Sequence, residues 1–80
     1  MSGDITHEGA CITDIRRMTN SVMGNPRFKI TFVTMNADVI TAQTQTNASV
    51  NYEITDGLVD SFATITRTRA GRIWKITRER

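Results

Sequence analysis

Eighty residues hold at most one small domain, whose single core buries a modest share of its own surface. Cys11 is the only cysteine, which excludes an internal disulfide and a cysteine-based metal cluster. The net charge of +2 is small for a dedicated nucleic-acid binder, but it is uneven: from Arg67 onward six bases stand against one acid, and before it four bases stand against seven acids.

The chain opens with MSGDITHEGA, which has no basic cluster ahead of an apolar run and does not read as a secretory leader. No stretch reaches the roughly 20 apolar residues of a membrane helix. The expectation is a cytoplasmic protein without membrane association, with residues 1–9 flexible and residues 10–80 forming one domain. His7, the only histidine, falls in that loose end and reads as a surface residue.

ACITDIRRM, Ala10 to Met18, is the first strand. Ile12 and Ile15 are three apart, and a bulge between them returns both to one face; a short helix is the competing reading. Cys11 then reads as a small apolar strand residue. NSVMGNPRF follows, rich in residues that favour turns: Asn20, Ser21, Gly24, Asn25 and Pro26. This is a long hairpin connection in which Val22 and Met23 either tuck back onto the body or are offered to a partner. RFKITF alternates cleanly, with Phe28, Ile30 and Phe32 on one face and Arg27, Lys29 and Thr31 on the other. The strand runs to about Met35, turns at Asn36 to Asp38, and returns as VITAQTQT, Val39 to Thr46, weakly apolar as an edge strand is.

NASVNYEITDG breaks the strand pattern. Val50 and Ile54 are spaced i, i+4, Asn47 or Ser49 can cap the start, and Gly57 can end the segment, so one short helix of about two turns is expected. LVDSFATITRTRAGRIWKITRER supplies two more strands, about Leu58 to Arg69 and Arg72 to Arg78, meeting at Ala70-Gly71. A two-residue turn there pairs Ile65 with Ile76 and Arg67 with Trp74; a type I turn with Gly71 in a bulge pairs Thr66 with Trp74 and Thr64 with Ile76. Thirteen threonines agree with a strand-rich chain. The fold expected is mainly β: a small five-stranded barrel, OB-like or SH3-like, with one short helix between strands 3 and 4.

ITDIRRMTNSVMGNPRFKITF, TQTNASVNYEI and TRTRAGRIW resemble segments of a group of small uncharacterised proteins encoded by phages of actinobacteria. The likeness covers about residues 12 to 76 and rests on an NSxxGNPR loop and a TRAGRI hairpin. It implies a phage-encoded accessory protein of the bacterial host cytoplasm and carries no catalytic or ligand assignment. One departure is visible: MNADV stands where the group has an Asp-Gly turn.

The chain holds no convergent titratable cluster. Its carboxylates fall mostly at turns and ends, and no phosphate-cradling glycine loop or nucleophile elbow is present, so no catalytic residue, cofactor or metal is expected. Two binding readings remain. In the first, a host or phage protein is bound through Asn20, Val22, Met23, Asn25 and Arg27 together with the basic C-terminal hairpin, and the polar TAQTQT edge offers a route to self-association. In the second, nucleic acid is held by Lys29, Arg67, Arg69, Arg72, Trp74 and Lys75, with Arg27 beside them. Trp74 is either a core residue or a stacking platform.

Overall fold

A computed structural model describes residues 3–46 and 48–79 of the chain. Five strands build one antiparallel sheet: β1 (Ile5–Met18), β2 (Arg27–Val33), β3 (Val39–Gln43), β4 (Phe62–Arg67) and β5 (Ile73–Arg78), in the order β3-β2-β1-β4-β5. β1 is the spine. Its first half pairs with β4, from Ile5↔Arg67 to Cys11↔Phe62, and its second half with β2, from Cys11↔Val33 to Met18↔Arg27. The strand therefore begins five residues before the predicted Ala10, because β4 supplies hydrogen-bonding partners to a segment too polar to show as a strand by itself. Residues 1 and 2 of the predicted loose end lie outside the described residues.

The register of β1 shifts between Ile12 and Asp14, which brings Ile12 and Ile15 to one face as the three-residue spacing predicts. That face joins Phe28, Ile30 and Phe32 of β2, Ile40 and Ala42 of β3, Ala63 and Ile65 of β4, and Ile73 and Ile76 of β5. Ala10, Ile12, Ile30, Phe32, Ala63, Ile65 and Ile73 are fully buried. Each large apolar side chain so buried contributes about 1.5–3 kcal/mol, enough to fix which face of every strand points inward.

The five strands form as expected; of the two barrel forms the sequence allows, closed or half open, the closed one is not what forms, and neither is the single helix. The sheet is not closed: β3 and β5 meet only at an isolated parallel bridge, Thr44↔Ile73, with Gln45 N–H donating to Ile73 O (2.7 Å). Thr44 is fully buried and makes the junction: its N–H donates to Phe28 O (2.9 Å), and its hydroxyl accepts from Phe28 N–H (3.1 Å). Between β3 and β4 the chain makes two short 3₁₀ turns, Ser49–Tyr52 and Asp56–Leu58. Ala48 precedes the first with no side-chain cap bond, and the predicted cap Asn47 lies outside the described residues. Asn51, buried, donates from its amide to the carbonyls of Gln45 (2.7 Å) and Ala48 (3.3 Å), so a side chain takes acceptors at the start of the segment. A two-turn α-helix is marginal without strong caps, and the buried Val50 and Leu58 hold the irregular path against the core.

The three hairpin turns share one geometry. In Ser21–Asn25, Thr34–Asp38 and Thr68–Arg72, the first residue's N–H donates to the fifth residue's carbonyl (2.8, 2.9 and 2.7 Å). The fourth residue's N–H donates back to the first carbonyl (2.8, 2.9 and 2.8 Å). The Ser or Thr hydroxyl accepts from the fifth N–H (3.1, 3.2 and 3.2 Å). The fourth residue is left-handed in each: Gly24 (φ 84), Ala37 (φ 67) and Gly71 (φ 93). This is a type I turn with a left-handed bulge residue. The last hairpin combines the two predicted registers. Its turn is the bulged one, yet Ile65 pairs with Ile76, because a second irregularity between Thr66↔Lys75 and Arg67↔Ile73 leaves Trp74 as an extra residue.

Candidate macromolecule-binding surface

The 20–27 connection is a braced hairpin end. Arg27 Nε donates to Thr19 O (2.9 Å), the Arg17 guanidinium donates to Asn20 Oδ1 and lies over the Phe28 ring (5.4 Å), and Tyr52 OH donates to Asn25 Oδ1 (2.9 Å). Of the five residues predicted to bind a partner, Asn20, Asn25 and Arg27 are therefore engaged within the hairpin or with Tyr52. Val22 and Met23 occupy the tip; Val22 is fully exposed and Met23 82% exposed. The alternative that they tuck onto the body is excluded. Tyr52, whose hydroxyl reaches Asn25 of the same turn, is itself 70% exposed.

Three basic residues of the last hairpin each reach a different neighbour. Arg67 turns toward β1, its Nε donating to His7 Nε2 (3.1 Å). Arg69 lies over Gly3, where an added Cβ would sit 3.3 Å from Arg69 Cδ. Arg72 crosses to β3 and donates to Gln43 Oε1 (3.0 Å). His7 is half-buried, its ring tilted on Phe32 at 5.2 Å, and desolvation followed by the nearby Arg67 charge lowers its pKa below 6.5. The predicted surface histidine in a loose end is thus a packed strand residue.

Cross-strand pairing orders the outer face into rows. Arg16, Lys29 and Gln43 stand side by side on β1, β2 and β3, and Arg72 reaches the end of that row. Asp14, Thr31 and Thr41 form the next row, with the two threonine hydroxyls 2.9 Å apart and Asp14 paired to Arg16 (3.2 Å). Phe62, Cys11, Val33 and Val39 form an apolar row across four strands, in which Phe62 and Val39 are exposed. The alternation of β2 announced Lys29; Arg16 and Gln43 join it only through register, which local pattern does not carry.

Trp74 is 38% exposed and outside the buried core. The extra residue in β5 takes it off the alternation that would have turned it inward. With Val50, Glu53, Lys75 and Ile76 it lines a shallow groove of about 330 Å³, continued by a second of about 280 Å³ along Ile54, Leu58 and Arg78. Among the described residues no group of three or more His, Cys, Asp or Glu side chains could hold a metal, and no helix is long and apolar enough to cross a membrane. No family model matches the chain, and no curated protein or solved structure matches it closely enough to carry an inference.

Proposed function

We propose that this chain is a non-catalytic accessory protein, phage-encoded and acting in the host cytoplasm, that binds a host or phage protein through the Ser21–Asn25 turn. One observation carries the reading: the two most exposed large apolar side chains among the described residues, Val22 and Met23, stand at the tip of a turn braced by Tyr52, Arg17 and Arg27. A hairpin that only reversed the chain needs neither the apolar tip nor the outside brace. Preorganised apolar side chains lose little entropy on docking, which favours their use as anchors. In this reading Arg72 and the Lys29 row supply the charge that steers an acidic partner.

A second reading rests on the strand order. The sequence of neighbours β3-β2-β1-β4-β5, the long shared β1 and the parallel approach of Thr44 to Ile73 favour an OB-like, half-open barrel over an SH3-like one. Single strands run over the β2–β3 face of such folds, and here that face carries Arg16, Lys29 and Arg72. Exposed Trp74 lies on the other side of the opening and would stack a base only at the far end of a track.

The test is capture from actinobacterial host lysate, with nuclease, at low and high salt. The protein reading expects a partner that survives both treatments and is lost, by about tenfold or more, in Val22→Ser with Met23→Ser. Nucleic acid retained only at low salt, and lost in Lys29→Glu with Arg72→Glu while Val22→Ser with Met23→Ser binds normally, refutes it in favour of the second reading, because phosphate contacts weaken steeply with salt.

A further inference from the structure

Away from the Thr44↔Ile73 bridge, the two edges of the sheet are built differently. β5 is guarded: Lys75 and Arg78 lie on it, Trp74 bulges from it, and the 3₁₀ turn around Val50 packs beside it. Each is a recognised way to stop strands from pairing edge to edge. β3 reads VITAQ, with no charge, no proline and no irregularity in its pairing to β2. Thr34 bonds Asp38 and Thr44 bonds Phe28 across the β2–β3 ladder, so the even-numbered positions carry the bonds to β2. By the alternation of an antiparallel ladder, Val39 and Thr41 turn their N–H and C=O outward.

We infer that this edge pairs with the same edge of a second copy of the chain, antiparallel and centred on Ile40. In that register Val39 faces Thr41 of the second copy and Thr41 faces its Val39. Both are hydrogen-bonded positions, which gives four new backbone bonds across the two-fold axis. Ile40 meets Ile40 on the inner face. The charges agree with the direction. Asp38 precedes the strand, and Arg72 sits on Gln43 at its far end (3.0 Å). Antiparallel pairing carries each Asp38 toward the other copy's Arg72, whereas parallel pairing sets like charges side by side. A contact this short stays below the roughly 1,000 Å² of a stable interface, so the dimer is weak and reversible.

Sedimentation velocity in reducing buffer, from about 10 µM to about 1 mM, tests the inference, with amide chemical shifts followed over the same dilution. Expected is a monomer–dimer equilibrium whose concentration-dependent amides centre on Val39 and Thr41. Val39→Lys sets a charge on the edge, and Thr41→Pro removes a donor that points away from β2, so the second variant keeps the intrachain ladder. Each should weaken dimerisation at least about tenfold with a native melting profile. Asp38→Arg and Arg72→Asp should each weaken it, and the double variant should restore it. A monomer throughout, or a dimer that survives Val39→Lys and Thr41→Pro and yields to Val22→Ser with Met23→Ser, overturns the inference.

Discussion

Ala37 holds a left-handed conformation (φ 67) at the position that glycine occupies in both sister turns, Gly24 and Gly71. An L-residue there costs about 1–2 kcal/mol through its Cβ. Replacing it with glycine removes that cost and adds backbone freedom to the unfolded chain worth about 0.4–1 kcal/mol. The hydrogen bonds of the turn run from Thr34 and the backbone and touch no atom of the Ala37 side chain. Ala37→Gly should therefore stabilise the protein by about 0.5–1 kcal/mol, or about 2–8 °C in a domain of this size. Thermal unfolding followed by circular dichroism measures it. Gly24→Ala is the mirror experiment: a Cβ at Gly24 meets nothing within 4 Å, so its loss of stability reports the backbone cost alone. If Ala37→Gly leaves the midpoint unchanged or lowers it while Gly24→Ala is destabilising, the argument that these turns share one backbone requirement is wrong.

Thr44→Val keeps the volume and removes the hydroxyl that satisfies Phe28 N–H; it should cost about 1–3 kcal/mol in urea unfolding, with Thr44→Ser losing less. The lowered pKa of His7 means that the folded state holds the neutral ring more tightly than the unfolded chain does. Its stabilising contribution is complete above pH 6.5, falls as the pH drops from 6.5 toward the folded value, and should vanish from the pH profile of His7→Gln. Tyr52→Phe removes the bond to Asn25 Oδ1. Global stability should change by less than about 1 kcal/mol, while amide exchange in residues 21–25 accelerates and any partner held by Val22 and Met23 binds more weakly.

What was legible in the sequence is what local pattern encodes. The alternation of Phe28, Ile30 and Phe32 announced β2 and its inner face, and the spacing of Ile12 and Ile15 announced the bulge in β1. The turn residues around Gly24 located a hairpin, and the exposure of Val22 and Met23 shows that they do not tuck back onto the body. What was hidden depends on partners far along the chain. Ile5 to His7 become strand only because β4 lies beside them; Thr44 looks like one more polar residue until Phe28 and Ile73 close around it. Trp74 left the core through a one-residue irregularity that no apolar count reveals, and His7, Gly3 and Gln43 each receive one arginine of the last hairpin, contacts that local pattern does not carry. The weak helix signal at Val50 and Ile54 lost to side-chain capture of backbone carbonyls by Asn51.

The division of β1 between two neighbours also sets an order of events for folding. The hairpins β1–β2, β2–β3 and β4–β5 close over short loops, and each can form early. The first half of β1 must wait for β4: the His7–Arg67 bond spans 60 residues and the Gly9–Glu79 bond spans 70. Joining such distant segments demands a large loss of chain entropy before any contact rewards it. The rate-limiting step should therefore be the docking of the C-terminal hairpin onto the start of β1, in the millisecond-to-second range of sheet proteins with distant pairings. Until that step the apolar faces of β2 and β4 stand open, so a substitution that slows it, such as one at Ile5 or Ala63, would first be noticed as poor yield in cells rather than as a lower melting temperature.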